Sequence, residues 1–287
     1  MNNDVIAKIK AASSSFSKGQ MHIAEFILEN YDKAAFMTAS KLGATVGVSE
    51  STVVRFAADL GYSGYPDMRK ALQEMIKNKL TWVQRIEVSR DIIKSDNALA
   101  DVMTSDAERV RLTLEGVDRD EFRRAAQAIV DAKNIYIIGS RSSTALAQYL
   151  SFYLNYIFPN VFVINEISAS DVFEQIMRIS EGDILIALSF PRYSTRTIRA
   201  MGFASDKGAT ILGITDSPDS PIAAISQIKL YAKTGMLSFV DSLVAPLSLL
   251  NAIIIESAAL CGEDLTENFA NLEKVWAAYN VYEKNNG

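Results

Sequence analysis

Four short apolar runs limit what this chain can fold into: "NIYIIG" (134–139), "VFVI" (161–164), "DILIAL" (183–188) and "TILGIT" (210–215). Each is rich in Ile and Val and has no polar face, as expected of strands buried on both sides. A fifth run, "QIKLYA" (227–232), alternates apolar and polar residues and suits a sheet edge. Helical patterns at 142–157, 168–179 and 194–207 lie between most of them. Strands that alternate with helices give a parallel sheet with right-handed crossovers, so this part of the chain is an α/β domain.

The N-terminal part has a different rhythm. Up to about residue 80 the pattern is helical and broken by short turns: Ile23, Phe26 and Ile27 share a face, and "LGYSGYPDM" (60–68) is a definite stop. Two polar amphipathic segments follow, "DNALADVMTSDAERVRLTLEGV" and "DRDEFRRAAQAIVDAK". Asp96 or Asp101 can start the first and Gly116 can end it. At 287 residues the chain has room for a small domain and a larger one. The expected division is an all-α domain over 1–80, a linker helix over 81–115 and the α/β domain over 116–287.

Composition narrows the chemistry. With 49% hydrophobic and 22% charged residues the chain reads as a globular protein, and its N-terminus lacks the apolar core of a signal peptide. A cytoplasmic protein is expected. The most apolar stretch, "SLVAPLSLLNAIIIESAAL" (242–260), contains Pro246, Asn251 and Glu256, which suit a helix buried in protein better than one in lipid. A single cysteine, Cys261, excludes an internal disulfide and a cysteine-clustered zinc site, and the lone histidine is His22. Neither a metal nor a cofactor is called for. The net charge is −5, but residues 1–80 carry ten Lys and Arg against eight Asp and Glu, while the remainder carries nineteen against twenty-six. That asymmetry suits a DNA-binding head on an acidic body.

Within "TASKLGATVGVSESTVVRFAADLGY" (38–62), Leu42, Val46, Val48, Val53 and Phe56 are spaced as two helices crossing at a short turn. Gly47 supplies the positive φ such a turn needs, and Gly43 is small where the helices approach. Ser49 can cap the second helix, with Thr52 three residues on. Ser49, Glu50, Ser51, Thr52 and Arg55 then lie where a recognition helix meets phosphates and base edges. An ordinary helical hairpin with a solvated face fits the bare pattern too. The low basic charge calls for a dimer reading two half-sites.

Two strand ends in the α/β domain share a chemistry. "IYIIGSRSSTAL" supplies Ser140, Arg141, Ser142, Ser143 and Thr144 at a helix start, and "ILIALSFPRYSTRTI" supplies Ser189, Arg192, Ser194, Thr195 and Thr197. Ligands of open parallel sheets sit at the carboxyl ends of strands, where helix N-termini present unpaired N–H groups. Serines also cap helices, so either loop alone is explained without a ligand. Two similar loops favour an anion. No G-x-x-x-x-G-K-[ST] is present, which suits a monoester such as a sugar phosphate rather than a nucleoside triphosphate.

At these residues the chain resembles the RpiR-type bacterial transcription regulators, a helix-turn-helix joined to a sugar isomerase (SIS) domain. The resemblance covers nearly the whole chain and is carried by "VSESTVVRFAADLGYSGYPDMRKAL", "IGSRSS", "SFPRYSTRT", "GITDSPDSPIA" and "FVDSLVAPL". It implies an SIS-type parallel five-stranded sheet flanked by helices. In the family a G-x-G-x-S loop and an S-x-S-G-x-T loop hold the phosphate of a phosphosugar, which by position implies roles for Ser143, Ser189 and Ser194. Two departures stand out. Arg141 replaces the second glycine of the first loop, and Pro191–Arg192 replaces "SG" in the second. The backbone is then expected to approach an anion less closely, while a guanidinium offers bidentate contact. The effector implied differs from the commonest phosphosugars or carries more negative charge. Asp241 and Ser242 open a long apolar helix that, by the resemblance, borders the pocket and helps make the subunit interface; Asp241 as a simple helix cap fits equally.

The competing class is a phosphosugar isomerase, which needs a base beside the carbonyl. The α/β domain contains no histidine, and Glu166, Asp171, Glu174 and Glu256 remain as bases. An isomerase leaves the recognition helix unexplained, so the expected protein is not an enzyme but a regulator of carbohydrate metabolism. Its expected partners are double-stranded DNA with an inverted-repeat operator, a sugar phosphate or related anionic sugar, and a second copy of itself, as a dimer or a tetramer.

Overall fold

A computed structural model describes residues 5–76, 85, 97–165, 171–236, 240–262 and 264–282, and the chain divides into two compact units, Met1–Lys94 and Ser95–Gly287. The first is all helical: α1 (Val5–Ala12), α2 (Lys18–Glu29), α3 (Tyr31–Ala34), α4 (Ala39–Val46), α5 (Glu50–Asp59) and α6 (Tyr65–Ile76). Its helix starts are chemically marked. Ser17 and Gln20 form a reciprocal capping box on α2, and Thr38 accepts from the Lys41 N–H on α4. Ile9, Ile23, Ile27, Leu42, Val53, Phe56, Met68 and Leu72 are buried between the helices. The Tyr65 hydroxyl donates to the Met37 carbonyl at 3.0 Å, and burial pushes its pKa up to about 12, so it remains a donor at any physiological pH.

The second unit begins with α7 (Ala98–Gly116) and α8 (Arg119–Val130) and continues with β1 (Ile135–Gly139), α9 (Ser143–Leu154), β2 (Val161–Ile164), α10 (Val172–Gln175) and β3 (Ile184–Leu188). After these come α11 (Thr195–Asp206), β4 (Thr210–Thr215), α12 (Pro221–Ile225), β5 (Ile228–Tyr231) and a short antiparallel pair, β6 (Gly235–Met236) with β7 (Asp241–Ser242). Two helices close the unit, α13 (Val244–Cys261) and α14 (Asp264–Tyr279). The five-stranded sheet is wholly parallel in the order β2-β1-β3-β4-β5. Alternation along the strands splits the core in two. Ile135, Ile137, Ile184, Ile186 and Leu188 face α8, α9 and α13 through Ile129, Leu150 and Leu250. Tyr136, Ile138, Leu185 and Ala187 face Val172, Ala200, Met201 and Ile222 on the other side. All five carboxyl ends therefore open on one edge, where the two hydroxyl-rich loops lie.

Several local expectations change. The run 161–164 is the second edge of the sheet, and its Phe162 is 45% exposed rather than buried. α7 is capped by Asn97, whose side chain accepts from the Ala100 N–H, and Asp101 falls in its first turn; Asp96 lies outside the described residues. The helix expected over 168–179 is the single turn α10, with 166–170 outside the described residues. Asp241 does not cap α13, which starts after Leu243 without a side-chain cap; Asp241 instead pairs Met236 across the β6–β7 ladder. Within the segment 81–115, expected as a linker, the described residues of α7 pack on α13, and the Lys233 N–H donates to Thr113 Oγ1 at 2.9 Å. α13 is long and apolar enough to cross a membrane by length and composition alone, yet Ala245, Leu249, Leu250 and Ile253 pack into the core of the unit.

Gly139 shapes the start of the site. A Cβ there would lie 2.4 Å from the Ser143 carbonyl oxygen, so only glycine lets β1 run this closely beneath α9. Gly139→Ala is expected to cost about 2 kcal/mol or more in denaturant unfolding, because backbone rather than a flexible side chain must give way. Gly202→Ala on α11, where a Cβ meets nothing within 4 Å, should instead stabilise by about 0.5–1 kcal/mol.

Candidate functional site

At the carboxyl edge, the turn after β1 is closed by Ser143 N–H to the Ser140 carbonyl (3.1 Å) and Thr144 N–H to the Arg141 carbonyl (3.1 Å). Thr144 Oγ1 donates back to the Gly139 carbonyl at 2.8 Å. Ser142 occupies the cap position of α9 without making a capping bond. Ser143 is 5% exposed; its hydroxyl makes no hydrogen bond among the described residues and, unlike that of Ser257, is not wholly shut off from solvent. At the N-terminus of α9 it is placed to meet a ligand at the sheet edge.

The second loop is tied to the first. β3 pairs β1 with Gly139 opposite Leu188, and Ser140 Oγ lies 2.9 Å from Thr197 Oγ1 in a buried contact. Ser194 caps α11 by accepting from the Thr197 N–H, and Ser189 Oγ accepts from the Ser194 N–H at 3.3 Å. Capping thus accounts for part of what Ser194 does, and an acceptor role for part of Ser189. Both hydroxyls keep a hydrogen to donate. Thr195 is the exposed first residue of α11. Tyr193 anchors the loop from the far side, donating from its hydroxyl to Asp216 Oδ1 at 2.8 Å.

The two arginines that replace the family's glycines are both left-handed: Arg141 has φ 56 and Arg192 φ 66. Among the described residues Asn280 is the only other non-glycine with positive φ. Glycine would adopt this conformation freely, whereas it costs about 1–2 kcal/mol for each side chain forced into it. Each turn thus carries a guanidinium on a left-handed backbone. Both side chains are exposed.

The first unit presents α4 and α5 as a helix-turn-helix. Gly47 ends α4 at φ 74, and a Cβ at Gly43 would lie 2.7 Å from the Val48 carbonyl oxygen. Ser49 caps α5, accepting from the Thr52 N–H at 3.3 Å, with its hydroxyl 2.8 Å from those of Ser51 and Thr52. Val53, Phe56 and Ala57 are buried, so Ser49, Glu50, Ser51 and Arg55 are left on the exposed face with Thr52 half-buried beside them. Val54 joins that face at 42% exposure. An apolar side chain there suits a thymine methyl, and its signal in the sequence was the Val53–Val54 pair, of which a 3.6-residue period can bury only one. A polar groove runs from Ser17, Gly19 and Gln20 on α2 to Arg55 and Asp59 on α5.

A second, apolar cavity of about 310 Å³ is lined by Val110, Leu114, Phe122, Ala245 and Leu249, away from both hydroxyl loops. Among the described residues no cluster of His, Cys, Asp or Glu could hold a metal ion.

This combination, a helical unit carrying a helix-turn-helix and a sheet domain that gathers serines at its carboxyl edge, defines a transcriptional regulator with a sugar-isomerase-type domain. Residues 3–79 match the helix-turn-helix domain of the rpiR family and residues 128–256 match the SIS domain. The chain is 22% identical over 281 residues to an uncharacterised HTH-type transcriptional regulator of Caldanaerobacter subterraneus subsp. tengcongensis, covering 95% of this chain and 96% of the relative. A similar regulator of Clostridium perfringens is 24% identical over 229 residues, 79% of this chain and 80% of its own length. Among solved structures, the sugar isomerase domain of an RpiR transcription factor from Sphaerobacter thermophilus superposes with a TM-score of 0.60 at 25% identity, covering 62% of this chain and 99% of that one. The Vibrio vulnificus NanR protein complexed with ManNAc-6P gives 0.55 at 23% identity, covering 96% of this chain and 99% of NanR. The chain belongs to the RpiR-type transcriptional regulators.

The strain at the two arginines is directly measurable. Arg141→Gly and Arg192→Gly should each be more stable than the matching Arg→Ala variant by up to about 1 kcal/mol, since both lose the guanidinium but only glycine relieves the left-handed backbone. Equal stabilities in chemical denaturation would mean that these turns are relaxed.

Proposed function

We propose that this chain is a cytoplasmic, non-enzymatic transcriptional regulator whose sheet domain binds a phosphorylated or otherwise anionic sugar and whose helix-turn-helix head binds an inverted-repeat operator as a homodimer. The observation that carries the first half is the gathering of Ser143, which makes no side-chain hydrogen bond among the described residues, at the N-terminus of α9 with Ser189 and Ser194 beside that of α11, at neighbouring strand ends. Together with Ser140, Ser142 and Thr195 these supply neutral donors on two adjacent helix starts, the environment a phosphate monoester needs. NanR, similar over its full length, binds a sugar phosphate. Arg141 and Arg192 add positive charge at the rim.

For the head, Ser49, Glu50, Ser51, Thr52 and Arg55 would read the major groove, with one recognition helix per half-site. A head with this little net positive charge gains useful affinity only by pairing. The dimer surface we assign to α13, whose outer face leaves Val244 and Ile255 exposed. The proposed domain limits are 1–80 for the head and 116–287 for the sensor, with 81–115 as a connection whose α7 packs on the sensor's α13. The effector acts by favouring one placement of the two heads over another.

An isomerase reading has less to support it, with Glu174 and Glu256 the candidate bases left among the described residues and Glu166 outside them. Asp171 caps α10 and accepts from the Phe173 N–H, and the unit has no histidine. Purified protein should enrich genomic fragments containing an inverted repeat beside sugar-catabolism genes, and Arg55→Ala should lose that enrichment. Ser143→Ala should lose at least tenfold in affinity for whichever sugar phosphate raises the melting temperature of the unsubstituted chain. A panel that raises no melting temperature would point to an inert scaffold.

A further inference from the structure

We infer that the effector carries a second anionic group besides its phosphate, and that Arg141 and Arg192 are the residues that select for it. The inference rests on the anion pocket proposed above and goes further by naming the charge pattern of its ligand. Arg141 lies two residues beyond Gly139 and Arg192 four beyond Leu188, and those two residues face each other across β1 and β3. Both guanidinium groups therefore rise from neighbouring strand ends of the same edge.

Among the described residues neither guanidinium makes an ion pair or a side-chain hydrogen bond, whereas Arg109, Arg111, Arg123 and Arg124 each pair with a carboxylate one turn away. An unpaired surface arginine by itself means little; Arg196 and Arg199 on α11 are two more. What sets Arg141 and Arg192 apart is their backbone, held at φ 56 and φ 66 where glycine would sit without strain. Packing does not hold arginine there, since both side chains are exposed. Of the two carboxylates in the loop after β4, Asp216 accepts from Tyr193 and from Thr215 Oγ1, and the exposed Asp219 makes no ion pair with either arginine. The hydroxyls and helix N–H groups of α9 and α11 are enough for one phosphate. Two further cations at the rim match a second anion, because a guanidinium binds carboxylate or phosphate with two parallel N–H bonds. Neutral hydroxyls recognise the first group and the arginines the second.

The test is calorimetric titration of the full chain at physiological salt with two matched pairs, fructose 6-phosphate against fructose 1,6-bisphosphate and glucose 6-phosphate against 6-phosphogluconate, with inorganic phosphate as reference. The expected result is at least tenfold tighter binding of the doubly anionic member in one pair, falling below threefold in the Arg141→Gly/Arg192→Gly protein. The pair that shows it tells whether the second group is phosphate or carboxylate. Arg141→Gln/Arg192→Gln, which keeps the side-chain volume without the charge, should behave like the glycine protein. Equal affinities within both pairs, or a preference that survives the substitutions, would overturn the assignment while leaving the phosphate pocket in place. If none of the five compounds binds, the pocket reading itself fails and the assignment with it.

Discussion

Burial of β1 and β3 on both faces is the constraint from which the rest follows. Strands that cannot face water on either side need helices above and below, and short right-handed crossovers deliver them only if the strands run parallel. A parallel sheet brings all its carboxyl ends to one edge, and helices that start just beyond those ends aim their free N–H groups at the same space. Ser140, Ser142, Ser143, Ser189 and Ser194 are thus gathered by topology before any of them makes a contact. Gly139 then sets how tightly β1 turns into α9, and the Ser140–Thr197 contact joins the two loops.

In the head, the same economy comes from caps. Ser49 closes α5 with its own side chain while Gly43 and Gly47 let α4 approach and turn, so a ten-residue helix is held by its ends and by Val53 and Phe56 beneath it. Beyond the capping Ser49, its outer residues Glu50, Ser51 and Arg55 are exposed. That exposure is what a reading surface requires, because residues that meet base edges cannot also be needed for packing.

Much of this was legible in the sequence. The strands showed as apolar runs, the helix-turn-helix showed as Gly47 followed by a capping Ser49, and both hydroxyl loops could be placed at strand ends. Where the reading departed, the missing information was tertiary. Whether "VFVI" is an edge depends on strand order, which no local pattern contains, and β2 proved to be the outer strand beside β1. Asp96 and Asp101 both read as starts for α7, yet Asn97 caps it, because Asx residues this close together are equivalent caps and only the path of the chain chooses among them. Asp241 looked like a cap because it precedes an apolar helix, but the β6–β7 ladder takes it first. The substitution of glycine by Arg141 and Arg192 could be read, whereas their retention of positive φ could not, since it is a property of the turn and not of the residue.

The central claim is that one chain couples an anion pocket to a DNA-binding head. Coupling between two sites must be reciprocal: the factor by which effector changes operator affinity equals the factor by which operator changes effector affinity. Fluorescence anisotropy of a labelled operator, titrated with and without saturating effector and paired with effector titrations with and without operator, measures both. The account predicts the same factor from both directions, about fivefold or more. Operator affinity that is unchanged by an effector which demonstrably binds would contradict it.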